Sequence, residues 1–151
     1  MTEVRATSGK AIYNVFYEHG EVRAEFSKEY ISLWPGWLGQ ERLHLLDEVS
    51  DAEWLRFNRM LLATFEAFRM GVVDHGAENV EFPARLEPLL SDRLESQQKD
   101  ASQFSHFVIP ALDCVIAEDW DYTYIIWHRN TGALEAIKPL LTQTQLQHFA
   151  D

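Results

Sequence analysis

The chain has a single cysteine, Cys114, so an intramolecular disulfide framework is excluded and the fold must stand on its own core. Cys114 lies in an apolar run and reads as a small buried hydrophobe. No stretch approaches the roughly 18 uninterrupted apolar residues that cross a membrane, and Met1 to Lys10 is polar, without the apolar centre of a signal peptide. A cytoplasmic protein with no membrane partner is the expectation. Glycine and proline are sparse, 7 and 5 in 151 residues, and there is no repeat, low-complexity tract or linker. One domain over residues 1–151 is expected, with residues 1–10 flexible.

Motifs with a strict spacing are absent as well. The sequence contains no Gly-x-x-x-x-Gly-Lys, Gly-x-Gly-x-x-Gly, Gly-x-Ser-x-Gly, His-Glu-x-x-His or Cys-x-x-Cys, which removes the recognisable nucleotide, hydrolase and zinc signatures. The histidines, at 19, 44, 75, 106, 128 and 148, include no pair three or four residues apart, so no local helical metal pair exists. The acidic stretch Asp74, Glu78 and Glu81 lacks the alternating ligands of a calcium loop. Neither a cofactor nor a metal is expected.

Basic residues are outnumbered, 13 against 24 acidic ones, for a net charge of −11. Such a chain repels a phosphate backbone, so direct nucleic-acid binding is not expected. The same field would speed encounter with a basic protein.

What is present is core material. Hydrophobic residues make up 46% and aromatics 13%, whereas disordered chains are poor in both. Ala11 to Tyr17 is rich in β-branched and aromatic residues, and with Val22 to Phe26 it predicts a hairpin turning at His19-Gly20. Tyr30 to Gly39, around Trp34-Pro35-Gly36-Trp37, predicts a loop, and Gln40 to Asp47 a turn or two of helix. Ser50 and Glu53 form a capping box ahead of Trp54, Phe57, Leu61, Phe65 and Phe68 at helical spacing. A long amphipathic helix from Ser50 to Met70 follows, with Gly71 placed to end it in the left-handed conformation.

Phe82 to Leu94 predicts another helix, starting late or bending because of Pro88. Ser96 to Ser105 reads as polar and exposed. Phe107 to Ala117 and Tyr122 to Arg129 predict a second hairpin, with Pro110 marking an edge or bulge. Asn130-Thr131-Gly132 leads into a last short element, Ala133 to Lys138, expected to end at Pro139, and a final polar-rich turn with Leu146 and Phe149. The expected fold class is α+β, a mainly antiparallel sheet of about four strands in two hairpins, packed with a long central helix and shorter ones.

Two groups of residues are candidates for function. If the late hairpin turns about Asp119-Trp120, Ala117 faces Tyr122, Val115 faces Tyr124 and Asp113 lies opposite Ile126, diagonal to His128. An aspartate beside a histidine suits general acid or base catalysis, so Asp113 and His128, with Tyr122 or Tyr124, define one reading: a small enzyme or ligand-binding domain. The turn Glu118-Asp119-Trp120-Asp121 instead sets carboxylates around an indole. With Trp34 and Trp37 it makes a candidate surface for a protein partner. The favoured expectation is a protein-binding module, an inhibitor or immunity-type protein that occludes a basic partner such as a nuclease toxin. A homodimeric scaffold or regulatory subunit is the third reading.

Overall fold

The computed structural model of the protein describes residues 8–91 and 104–150. It is built on a seven-stranded, wholly antiparallel sheet in which Asn79–Glu81 (β5), Gly71–Asp74 (β4), His106–Ile109 (β6), Cys114–Glu118 (β7), Thr123–His128 (β8), Ser27–Ser32 (β3) and Gln147–Phe149 (β9) lie side by side in that order. The α+β class and the large antiparallel sheet agree with the sequence; the expectation of about four strands does not.

The first segment departs from its reading. Gly9–Phe16 is a helix, α1, capped by Ser8, whose Oγ accepts from the Ala11 N–H. Its β-branched and aromatic residues favoured a strand, but Ile12, Tyr13 and Phe16 also share one helical face, and that face is buried. Packing decided against propensity. The hairpin at His19-Gly20 does form, between β1 (Tyr17–Glu18) and β2 (Glu21–Val22), through a turn in which both central residues have positive φ, 55° and 80°. It is only two residues long on each side and stands apart from the main sheet.

β3 (Ser27–Ser32) takes part of the segment expected to be loop and lies between β8 and β9. A 3-10 stretch, Gln40–Glu48, follows. The capping box of Ser50 and Glu53 is present in both directions and opens α2 (Asp51–Ala67). Phe68 ends that helix in extended backbone. Gly71 does not cap it: it begins β4 (Gly71–Asp74), where a Cβ would come 2.3 Å from the Val80 side chain, so glycine answers a close approach rather than a left-handed turn.

The acidic loop supplies β5 (Asn79–Glu81), and α3 (Glu87–Ser91) starts late, just before Pro88. The part of the helix expected beyond Ser91, most of the Ser96 to Ser105 stretch expected to be exposed, and residues 1–7 of the segment expected to be flexible lie outside the described residues; Gly9 and Lys10 of that segment belong instead to α1. Pro110 falls in a 3-10 turn, Pro110–Leu112, that splits the expected strand into β6 (His106–Ile109) and β7 (Cys114–Glu118). β8 (Thr123–His128), α4 (Gly132–Gln143) and β9 (Gln147–Phe149) complete the order. α4 runs through Pro139 rather than stopping there.

The sheet has two unlike faces. On one, α2, α3 and α4 close a core of Ile31, Phe57, Leu61, Ile116, Tyr124, Ile126 and Leu141, each large apolar side chain contributing about 1.5–3 kcal/mol by leaving water. Cys114 is buried there, and burial pushes its thiol up to about 12, so it is an inert hydrophobe. On the other face Ile12, Tyr13 and Phe16 of α1 pack with Tyr17, Phe26, Val80, Val108 and Val115 in a second, smaller core. A row running across the strands, Phe149, Tyr30, Ile125, Ala117 and His106, lies on this second face.

Candidate functional site

The β7–β8 turn stands at one end of the sheet. Asp119 N–H donates to the Thr123 carbonyl, Thr123 Oγ1 donates to the Asp121 carbonyl, and Ser32 Oγ donates to the Tyr122 carbonyl. Asp121 and Tyr122 both have positive φ, 58° and 52°, a conformation costing non-glycine residues on the order of 1 kcal/mol each. The Tyr122 ring offsets that cost by packing edge-on against Trp34 at 6.5 Å and Trp54 at 6.1 Å. Tyr122 thus anchors the turn to α2, while Trp120 stays 44% exposed with its ring edge-on to Phe104 at 4.7 Å.

The turn divides two hollows. The first, of about 320 Å³, opens between the β1–β2 hairpin and the turn. Trp120, Phe104, Trp127 and Ile125 give it apolar walls, His106 closes part of it, and Glu21, Glu118 and Asp119 are its acids. The second, of about 250 Å³, lies between the turn and the segment after β3. It is lined by Trp34, Trp37, Leu43 and Asp121, with Ser32 and Thr123 as polar groups. Trp37 is 49% exposed, yet its ring also rests on Tyr30 at 4.6 Å and Phe149 at 5.0 Å.

The acids of the turn are not alike. Glu118 is buried, 3% exposed, and its carboxylate accepts from the Ser105 N–H, so it is not a solvated surface charge. Asp119 is half-buried, and burial raises its carboxyl above the ordinary value; Asp121 adds to the rise, while a hydrogen bond from the Trp120 backbone and the charge of Lys28 oppose it. Asp121 is exposed. The sequence therefore brings Trp120, Asp119, Asp121, Trp34 and Trp37 to one end of the molecule, with Glu118 sealed at its base.

Asp113 and His128 do not meet. The loop from Asp119 to Tyr122 is longer than expected, so Val115 pairs with Trp127 instead of Tyr124, and Ala117 with Ile125 instead of Tyr122. A slip by an odd number of residues exchanges the faces of one strand relative to the other. Tyr124 accordingly enters the helix-covered core, stacked on Phe57 at 4.8 Å. Asp113 sits ahead of β7 in the left-handed region, φ 53°, and accepts a two-pronged bond from the Arg129 guanidinium. His128 is buried beside Cys114 and places its Nε2 3.2 Å from Glu29 Oε2. The general acid–base pair suggested by the sequence has no geometry to support it.

Two groupings are invisible in the sequence because their members are far apart in it. Tyr17 hydroxyl and His106 Nδ1 are joined by a 2.8 Å hydrogen bond, Tyr13 stacks on Tyr17 at 4.7 Å, and the rings of His75 and His106 cross at 4.6 Å. Burial, with His75 adding to it, pushes His106 down to about 4, and burial raises Tyr17. A neutral imidazole with so low an affinity for protons is a poor base at neutral pH. The second grouping is Glu29, between His128 and His148. Among the described residues no group of three or more histidine, cysteine or carboxylate side chains is disposed to hold a metal ion, and no helix is long and apolar enough to cross a membrane.

Comparisons with models of known protein families, with curated proteins and with solved structures find no match to this chain.

Proposed function

We propose that the protein is an acidic binding module that engages a basic protein partner through the end of the sheet bearing the β7–β8 turn, in the manner of an inhibitor or immunity-type protein. The observation that carries this reading is the pair of half-exposed indoles, Trp120 and Trp37, each bordering a hollow on one side of the same braced turn. Large aromatics with few rotatable bonds lose little entropy on binding and dominate interface energies. Asp119, Asp121 and Glu21 lie among them, and the net charge of −11 extends the attraction beyond contact range. The turn is held by hydrogen bonds and by Tyr122, so a partner meets it preformed.

The test is capture of interacting proteins from native lysate by the tagged chain at about 50 mM and about 500 mM salt, where the screening length falls severalfold. A basic protein recovered at low salt and diminished at high salt is expected, and Asp119→Lys with Asp121→Lys should abolish its recovery while leaving the circular dichroism melt cooperative. Full recovery by the folded double variant would remove this end of the sheet as the interface.

A further inference from the structure

The hollow beside Trp120 has a chemistry more specific than general acidity. Its walls are flat and aromatic: Trp120 and Phe104 on one side, Trp127 rising from the sheet. Its acids are Asp119 and Glu21, with the buried Glu118 below. An aromatic face attracts a cation through the ring's negative quadrupole, and a nearby carboxylate supplies the matching charge. The chain already shows this pairing at the border of the hollow. Lys28, opposite Trp127 in the β3–β8 register, holds its ammonium 5.3 Å from the Trp127 ring centre and 5.9 Å from that of Tyr30, and its charge acts on Asp119.

The geometry points to the hollow between Trp120 and Trp127 as a receptor for one arginine side chain of the partner, its guanidinium lying against the indoles and bonded to Asp119. This deepens the binding reading proposed above and rests on it. A guanidinium fits better than an ammonium for three reasons. It is planar and stacks on aromatic faces, it sheds water more readily, and its fork engages a carboxylate with two N–H groups. The raised carboxyl of Asp119 fits the same picture, because burial outweighs the Trp120 backbone hydrogen bond and the charge of Lys28, and an incoming cation would offset it further. Lys28 is the local competitor, since its like charge opposes a second cation on the same aromatic shelf.

The experiment is a heteronuclear NMR titration of the full chain with three acetylated, amidated tripeptides, Gly-Arg-Gly, Gly-Lys-Gly and Gly-citrulline-Gly. Citrulline keeps the shape of arginine and removes its charge. The arginine peptide is expected to move the indole N–H signals of Trp120 and Trp127 and to saturate, with the lysine peptide at least about threefold weaker and the citrulline peptide inert. Asp119→Asn, which preserves shape, should weaken the arginine peptide by about fivefold or more, and Lys28→Gln should tighten it by about twofold. Trp120→Ala should abolish the response with the remaining spectrum intact.

An unmoved Trp120 signal, equal binding of citrulline, or equal binding of lysine each overturns the arginine site. If the paired reversal at Asp119 and Asp121 abolishes capture of a basic protein while the arginine peptide leaves Trp120 unmoved, the arginine site falls and the binding module stands. If the arginine peptide saturates as expected while capture survives the reversal, the site stands and the wider interface is elsewhere.

Discussion

Glu29 and His128, on neighbouring strands, meet on the helix-covered face of the sheet with 3.2 Å between carboxylate oxygen and Nε2, both side chains largely out of water. The other oxygen of Glu29 lies 2.6 Å from His148 Nε2 on β9. One acid therefore ties the short final strand to β3 and, through it, to β8. Glu29→Leu strips the buried His128 of its acceptor and removes the carboxylate beside the His148 ring, and is expected to lower unfolding free energy by about 2–3 kcal/mol. Glu29→Gln, which retains a carbonyl acceptor, should cost less. Urea denaturation checks both, with faster amide exchange in Gln147–Phe149 as the local sign; a Glu29→Leu variant as stable as the parent would show the tie to be idle.

Acid should loosen the α1 side of the sheet before full acid denaturation. His106 titrates at about 4 in the folded chain against 6.5 for the ordinary group. Its folded value is depressed, so its contribution is complete above pH 6.5 and is lost as pH falls toward 4, where the unfolded chain takes up a proton that the folded chain refuses. Between pH 7.5 and pH 5 the loss should be about 1–2 kcal/mol. His75, also lowered by burial, acts in the same direction. His106→Gln should flatten this part of the stability curve, and an unchanged slope in that variant would trace it to other groups.

Arg129 joins more elements than any partner of it alone. Its guanidinium grips Asp113, reaches Glu25 and the Val15 carbonyl, and lies 4.3 Å over the Phe26 ring. Lysine keeps the charge but lacks the planar fork, so Arg129→Lys should lower unfolding free energy by about 1–2 kcal/mol. Thermal melts monitored by circular dichroism would register it as a fall of several degrees; a drop below one degree would assign Arg129 a purely electrostatic role.

At the turn, stability and recognition should separate. Asp121 has φ 58°, so Asp121→Gly relieves a left-handed conformation and should leave the fold as stable or raise it by about 0.5 kcal/mol. It also removes an exposed acid. Capture of a basic partner should then weaken while the melting temperature holds or rises, a combination that loss of folding cannot mimic. A lower melting temperature would contradict the assignment of strain.

The capping box at Ser50, the long helix after it, the turn at His19-Gly20 and the late hairpin were all legible because each depends on residues close together in sequence. Spacing failed where two patterns shared the same residues. Ile12, Tyr13 and Phe16 suit both a strand and a helix, and burial against the valines of β6 and β7 selects the helix. It failed again at short strands such as β4, β5 and β9, of which β5 and β9 are three residues each, too brief to show alternation. Of the candidate site, Trp120, Asp119, Asp121, Trp34 and Trp37 were visible as residue types. Their convergence on two hollows, and the sealing of Glu118, were not.

The sequence by itself determined the absence of a disulfide, the strong negative charge, the apolar content that makes a core and the local signals that start and stop its elements. These are sums over residues or interactions within a few positions. Tertiary structure decided which acid meets which base. Asp113 went to Arg129 and His128 to Glu29 because the length of one turn set the register between β7 and β8. In a sheet, a slip by an odd number of residues moves side chains to the opposite face, and no local pattern encodes that count.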